Sequence, residues 1–349
     1  MKYTIVVTIV VVLMSSAWAK PLAENKDPAK LIAPIQVGDK LTLRLWGFAQ
    51  GAFIENAQPD EVQWTNLRLL GNLDGQRLGL GFVLNFADLQ EPEGNWLREL
   101  YGKVELTDTL ELRFGWLLTS VGNGNGEGFP GPPTSNTVLF PKSLPFGQYG
   151  TGLQLRWKNE LWSVVADVTG DTSLPFDNPG RFENLEFSGR IKRAFWDFER
   201  EVGYLGGAVQ LTKTVNRFGL DGQWQPIKPL TLRGGIFYSD YDSQKTSNRL
   251  GGFFQPAYRP VSWFEAHTMI DCNADLPKEY EELQKGKDKQ GNVTYQNVTR
   301  QTSDDTIIAW TNGIRFLGKN DRWSVTLDYE TAVEGKQPNR ALARFQIRF

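Results

Sequence analysis

The chain has 349 residues, of which 40% are hydrophobic, 22% charged and 12% aromatic, with 35 glycines, 12 tryptophans and a formal net charge of −2. So much glycine and tryptophan argues against a helical bundle, and the near-balanced charge excludes a strongly basic nucleic-acid-binding surface. With one histidine and one cysteine, Cys272 has no partner for an internal disulfide and a zinc-type cluster is excluded. Any histidine-dependent chemistry must pass through His267 alone.

Lys2 supplies a short positive region, residues 5–14 form an apolar stretch, and Ala17-Trp18-Ala19 places small residues where a signal peptidase reads. This pattern predicts a secretory signal over residues 1–19, too short for a membrane span of about 20 residues. No cysteine follows for lipidation, and no later apolar run is long enough for a transmembrane helix. A membrane protein with this sequence would have to cross with strands. Residues 20–40 are read as a periplasmic N-terminal segment and 41–349 as one β-barrel domain.

From residue 41 the chain alternates with period two, the side-chain period of a strand. Leu110, Leu112, Phe114 and Trp116 take one parity, and Glu111, Arg113 and Gly115 the other; Trp323, Val325, Leu327 and Tyr329 oppose Ser324, Thr326, Asp328 and Glu330 in the same way. The alternation predicts strands near 41–53, 62–73, 77–88, 96–107, 110–118, 149–158, 161–169, 184–195, 203–214, 216–226, 230–241, 305–316, 322–332 and 339–349. Short turns such as Asp74-Gly75-Gln76, Lys158-Asn159-Glu160 and Gly318-Lys319-Asn320 alternate with longer connections, except at 214–217, where a short link falls in a long-loop position. An antiparallel sandwich produces the same alternation. The even strand count, the alternating connections and the aromatics near strand ends (Trp116, Trp157, Trp162, Trp224, Trp323) favour an all-β transmembrane antiparallel barrel.

Two long segments interrupt the strands. Residues 119–148 follow the fifth strand and are glycine-rich, then stiffened by Pro130, Pro132, Pro133, Pro141 and Pro145. An inward-folding constriction loop carrying Phe140, Lys142 and Phe146 and an external flap are both open. In the stretch 242–304, a further hairpin around Phe253, Phe254, Tyr258, Trp263 and Phe264 would raise the barrel from 14 to 16 strands. Lys278 to Lys289 reads as charged, helical or disordered. His267, Asp271 and Cys272 sit close together there, a weak metal signal better explained by a solvated loop.

The last strand alternates to its end, with Ala343, Phe345, Ile347 and Phe349 opposite Arg344, Gln346 and Arg348. A terminal aromatic after such a strand resembles the signal that outer-membrane proteins present to the barrel assembly machinery. Residues 41–158 resemble the start of the phosphate-selective porin O and P family, on Arg68, Gly71, Phe86, Asp88, Tyr101, Leu112, Arg113 and Gly115. They depart from its pattern at Trp116-Leu117-Leu118. The resemblance implies an outer-membrane location, a homotrimer and no cofactor. The small row Gly47, Ala49 and Gly51 suits either close subunit approach or barrel curvature.

Taking the apolar parity as lipid-facing, the opposite parity collects Arg44, Arg68, Lys103, Arg113, Arg156, Arg190, Lys192, Arg217, Arg233, Arg315, Arg344 and Arg348. Against them stand Glu99, Glu105, Glu111, Asp167, Glu186, Asp221, Asp328 and Glu330. A basic-leaning lumen favours anions, unless these arginines neutralise carboxylates on neighbouring strands. The expectation is a porin passing small hydrophilic or anionic solutes by diffusion, with an enzymatic or plugged structural barrel as the alternative. His267 has no Gly-x-Ser-x-Gly elbow to serve, which argues against an enzyme.

Overall fold

A computed structural model describes residues 33–38, 40–54, 61–86, 97–119, 149–170, 185–197, 200–243, 245–287, 293–302, 304–318, 321–334 and 339–348. Sixteen strands close into an antiparallel barrel. After a short strand β1 (Ile35–Val37), the wall begins with β2 (Leu41–Ile54), β3 (Glu61–Asp74), β4 (Leu78–Asn85), β5 (Leu97–Thr107) and β6 (Leu110–Leu118). It continues through β7 (Tyr149–Lys158), β8 (Trp162–Thr169), β9 (Glu186–Asp197), β10 (Arg200–Leu211), β11 (Val215–Ile227) and β12 (Leu230–Tyr241). Next come β13 (Asn248–Val261) and β14 (Phe264–Leu276), then a separate hairpin of β15 (Glu279–Lys287) and β16 (Val293–Gln301). The wall ends with β17 (Thr306–Leu317), β18 (Trp323–Glu334) and β19 (Arg340–Arg348).

Each wall strand pairs with its neighbour in sequence, β14 passing over the hairpin to β17. Closure is made by β19 on β2, in register from Leu342↔Ile54 to Arg348↔Phe48. Closing the ring removes the free edge whose unpaired N–H and C=O groups could not be tolerated in hydrocarbon. All fourteen predicted strands are present, with ends displaced by a few residues. The other two, β13 and β14, are the further hairpin left open in the 242–304 stretch and settle the count at sixteen. The segment from Lys278, expected to be helical or disordered, instead enters β15. At the short link, β10 ends at Leu211 and β11 begins at Val215, so two strands meet there through a clipped loop. The loop 120–148, with Phe140, Lys142 and Phe146, and the terminal Phe349 lie outside the described residues, as do residues 1–32.

The parity reading decides the faces. Leu220 and Ile236 are 62% and 64% exposed on the outer face, as are Phe114, Leu153, Ile191 and Phe345. Trp157, Trp162, Trp224 and Trp323 cluster on that face towards the short-turn end, and Arg193 lies 5.4 Å over the Trp162 ring. Trp116 does not join them. It is buried, in the half of β6 nearer the long loops. Gly115 beside it has φ +132, and a Cβ there would meet the Leu100 carbonyl oxygen at 2.5 Å, so only glycine suits this point.

Candidate functional site: the inner wall

Period two turns every second side chain into the barrel. Arg44, Arg68, Lys103, Arg113, Arg156, Arg190, Lys192, Arg233 and Arg315 all fall on this inner parity, and strand register sets their neighbours. Arg113 Nε donates to Glu111 Oε1 at 2.6 Å and stacks 4.5 Å from the Tyr101 ring, while Arg156 stands directly opposite Glu111. Lys103 lies 2.6 Å from Asp74 Oδ1, and Asp74 also takes Arg44 Nη1 at 3.1 Å. Arg190 holds Asp221 at 2.8 Å, and Lys192 sits 4.2 Å over the Tyr204 ring. Arg68 lies 5.8 Å over Phe48. Arg233 and Arg217 donate to neutral amides, Gln223 Oε1 at 2.8 Å and Gln210 Oε1 at 2.7 Å. Arg315 approaches Glu265 Oε1 at 4.0 Å.

Many of the basic residues are therefore held by carboxylates, amides or aromatic faces, so formal charge overstates the field they project into the lumen. The two added strands shift the balance further. They bring Arg249, paired with Asp275 at 3.1 Å, but also Glu265 and Asp271.

Strand β14 corrects the sequence reading most. His267 is not in a solvated loop; it is buried on the inner wall, and its Nε2 lies 2.7 Å from Asp328 Oδ1 on β18. The two residues flank Gly313 in one row, His267↔Gly313↔Asp328. Asp271 shares the inner parity with His267, whereas Cys272 takes the outer parity, so the three do not converge on a metal. The row below, towards the short turns, runs Glu265↔Arg315↔Thr326↔Arg344. The rows above carry Met269↔Thr311↔Glu330 and then Asp271↔Ala309. The wall of β14, β17 and β18 is thus an acidic patch seated directly over an arginine pair. The sequence names four of its residues, His267, Asp271, Asp328 and Glu330, and sets His267 close to Asp271, but it does not bring either of them to Asp328 and Glu330. The long-range pairing of β14 with β17 across the hairpin leaves no signal in local periodicity.

No protein-family model matches the chain, and no curated protein matches it. Solved structures do match in fold. Outer-membrane expressed OmpT of Vibrio cholerae aligns with TM-score 0.59 at 11% identity, covering 90% of this chain and all of that one. The outer-membrane channel DcaP of Acinetobacter baumannii gives 0.57 at 11% identity over 91% and 100%. OmpF of Salmonella typhi, in complex with daunomycin, gives 0.54 at 10% identity over 90% and 100%. The fold is that of outer-membrane channel barrels.

Proposed function

We propose that this chain is an outer-membrane porin: exported with residues 1–19 as a cleaved signal, it forms a water-filled channel for passive diffusion of small hydrophilic solutes. The observation that carries the reading is the closed sixteen-strand wall, apolar outside and charged inside. Rings of eight strands are filled by their own side chains, whereas sixteen leave an aqueous lumen. The wall residues from Arg44 to Arg315 line this channel, and Phe345, Ile347 and Phe349 form the assembly signal. Similarity to channel barrels supports the location and the homotrimer expected from the family resemblance, in which the small row Gly47, Ala49 and Gly51 faces outward.

The channel has no cofactor and performs no chemical step. Among the described residues, the one side-chain hydrogen bond of His267 goes to Asp328 rather than to a serine hydroxyl. Selectivity is weakly anionic and extends to phosphate as one small anion among others. Its weakness follows from the pairing of the basic residues and from the acidic patch.

Planar-bilayer recording tests the reading. Discrete conductance steps in symmetric KCl are expected, with a small reversal potential of anionic sign in a salt gradient. Absence of steps from folded protein overturns the porin, and a cationic reversal potential overturns the anion preference. Joint replacement of Arg113 and Arg156 reduces that potential if both project their charge into the lumen.

A further inference from the structure

The acidic patch contains polar atoms that nothing among the described residues satisfies. Gln255 on β13 is fully buried, and neither its Oε1 nor its Nε2 has a partner. Thr311 Oγ1, Asp271 Oδ1 and Asn273 Oδ1 are likewise shielded and unpartnered, in side chains 1%, 3% and 7% exposed. With His267 Nε2–H donated to Asp328, its Nδ1 is a further bare acceptor. A shielded polar group without a partner costs about 1–3 kcal/mol, more if charged. Such groups rarely accumulate in one place without a ligand to answer them.

His267, Asp271 and Asn273 run along β14, and Gln255 and Thr311 stand on the two strands that flank it. Gln255 lies on β13 between Phe253, which faces Asp271, and Ala257, which faces His267. Thr311 lies two strands on, on β17 beside Glu330, with Met269 of β14 between it and Gln255. Atoms that can accept outnumber those that can donate, and the nearby charge is negative. The adjacent cations are committed elsewhere: Arg249 to Asp275, Arg233 to Gln223, Arg315 to Glu265. Arg344 lies beside Asp328 in the row below and offsets that carboxylate, and Asp271 stands two rows above His267.

We propose that the inner wall of β13, β14, β17 and β18 is a binding subsite for solutes bearing primary ammonium groups, with Asp271, Gln255 and Thr311 accepting their hydrogen bonds. An ammonium carries three donors and no acceptor, which matches what the patch lacks. This rests on the channel reading for access but not for detection. Within a weakly anion-preferring pore, the subsite gives amines a separate dwelling place.

The experiment uses the full-length mature chain and spermidine as probe. In bilayers, micromolar to millimolar spermidine is expected to produce brief blockades of the KCl current, with citrate at equal concentration producing none. Asp271→Asn and Gln255→Met each raise the half-blocking concentration at least tenfold, the second preserving volume in case the first folds poorly. Unchanged block in both folded variants overturns the proposal, as does a conducting wild type that spermidine leaves untouched. Calorimetric titration of spermidine into the detergent-solubilised barrel decides the subsite even if no conductance is seen. Saturable heat that Gln255→Met abolishes supports it, and its absence from wild type overturns it.

Discussion

His267 and Asp328 meet at 2.7 Å across an intervening strand, and they can do so only because Gly313 stands between them. A Cβ on Gly313 would lie 1.9 Å from Asp328 Oδ1 and 2.5 Å from His267 Nε2. The same device recurs where Lys103 reaches Asp74 over Gly79 and where Arg190 reaches Asp221 past Gly206. In each case a charged side chain lies flat along the inner wall instead of projecting into the lumen. Gly313→Ala is expected to break the His267–Asp328 bond and strand the buried His267 ring, a loss of about 1–3 kcal/mol. The temperature at which the folded barrel unfolds in detergent, read as the gel shift of heated samples, should fall. An unaltered transition would mean that the pair contributes nothing.

Asp74 answers two cations at once, Lys103 at 2.6 Å and Arg44 at 3.1 Å. Asp74→Asn removes the negative charge and leaves both cations on the inner wall near the short-turn end. Stability should fall by about 1–3 kcal/mol, since Lys103 is largely buried and loses a charged partner. The reversal potential in a KCl gradient should move towards the anion side. Movement in the cation direction would show that these residues do not face the permeating ions.

Why fourteen strands follow directly from the alternation while the β13–β14 hairpin stays an open alternative is itself physical. The outer parity of strands such as β6 and β18 is an unbroken apolar row against polar neighbours, and period two exposes it directly. In β13 the adjacent pairs Gly251-Gly252 and Phe253-Phe254 place like residues on both faces, and Pro256 weakens the strand signal further. In β14 four of the seven outer positions, Ala266, Thr268, Cys272 and Ala274, are small or polar, so only Phe264, Ile270 and Leu276 mark the lipid face. The acidic patch lay hidden for the same reason. His267 meets Asp328 only once β14 is a wall strand and the hairpin is set aside. Individual inner residues could be listed from parity, but their partners depend on register, which local sequence does not carry.

At the long-loop end, Glu282 on β15 accepts Lys245 at 2.9 Å through Oε1 and Arg300 at 2.9 Å through Oε2. The hydrogen bond from Lys245, then its charge and that of Arg300, hold the Glu282 carboxyl below its ordinary value. The Glu282 hydrogen bond likewise raises the Lys245 ammonium. A depressed carboxylate contributes its tether above the unfolded value near 4.5 and loses it as pH falls through the lower folded value. The raised ammonium keeps its share below 10.5 and loses it only above that. The tie between the hairpin and the 242–247 loop is therefore expected to hold at pH 7 and to release on acidification below pH 4.5. Amide exchange in the hairpin, corrected for intrinsic rate, should rise with that release, and Glu282→Gln should show the raised exchange already at pH 7. Exchange indifferent to both changes would assign the pair no tethering role, which is the usual outcome for exposed ion pairs under high salt.

The outer face offers the sharpest test of where the barrel resides. Leu220 lies on the apolar parity of β11 and is 62% exposed, a poor arrangement in water and a favourable one in hydrocarbon. Three residues along the same strand, Gln223 takes the inner parity and meets Arg233. Leu220→Arg sets a guanidinium against acyl chains and should cost about 2–4 kcal/mol near the bilayer midplane. Gln223→Arg adds the same charge to a wet wall that already holds Arg233, so its cost comes only from repulsion and the lost amide contact, and should be smaller. Reversible unfolding of both variants from phospholipid vesicles by guanidinium measures the difference directly. A Leu220 variant as stable as the Gln223 variant would place the outer face in water and overturn the membrane barrel, because only a lipid surround makes that face intolerant of charge.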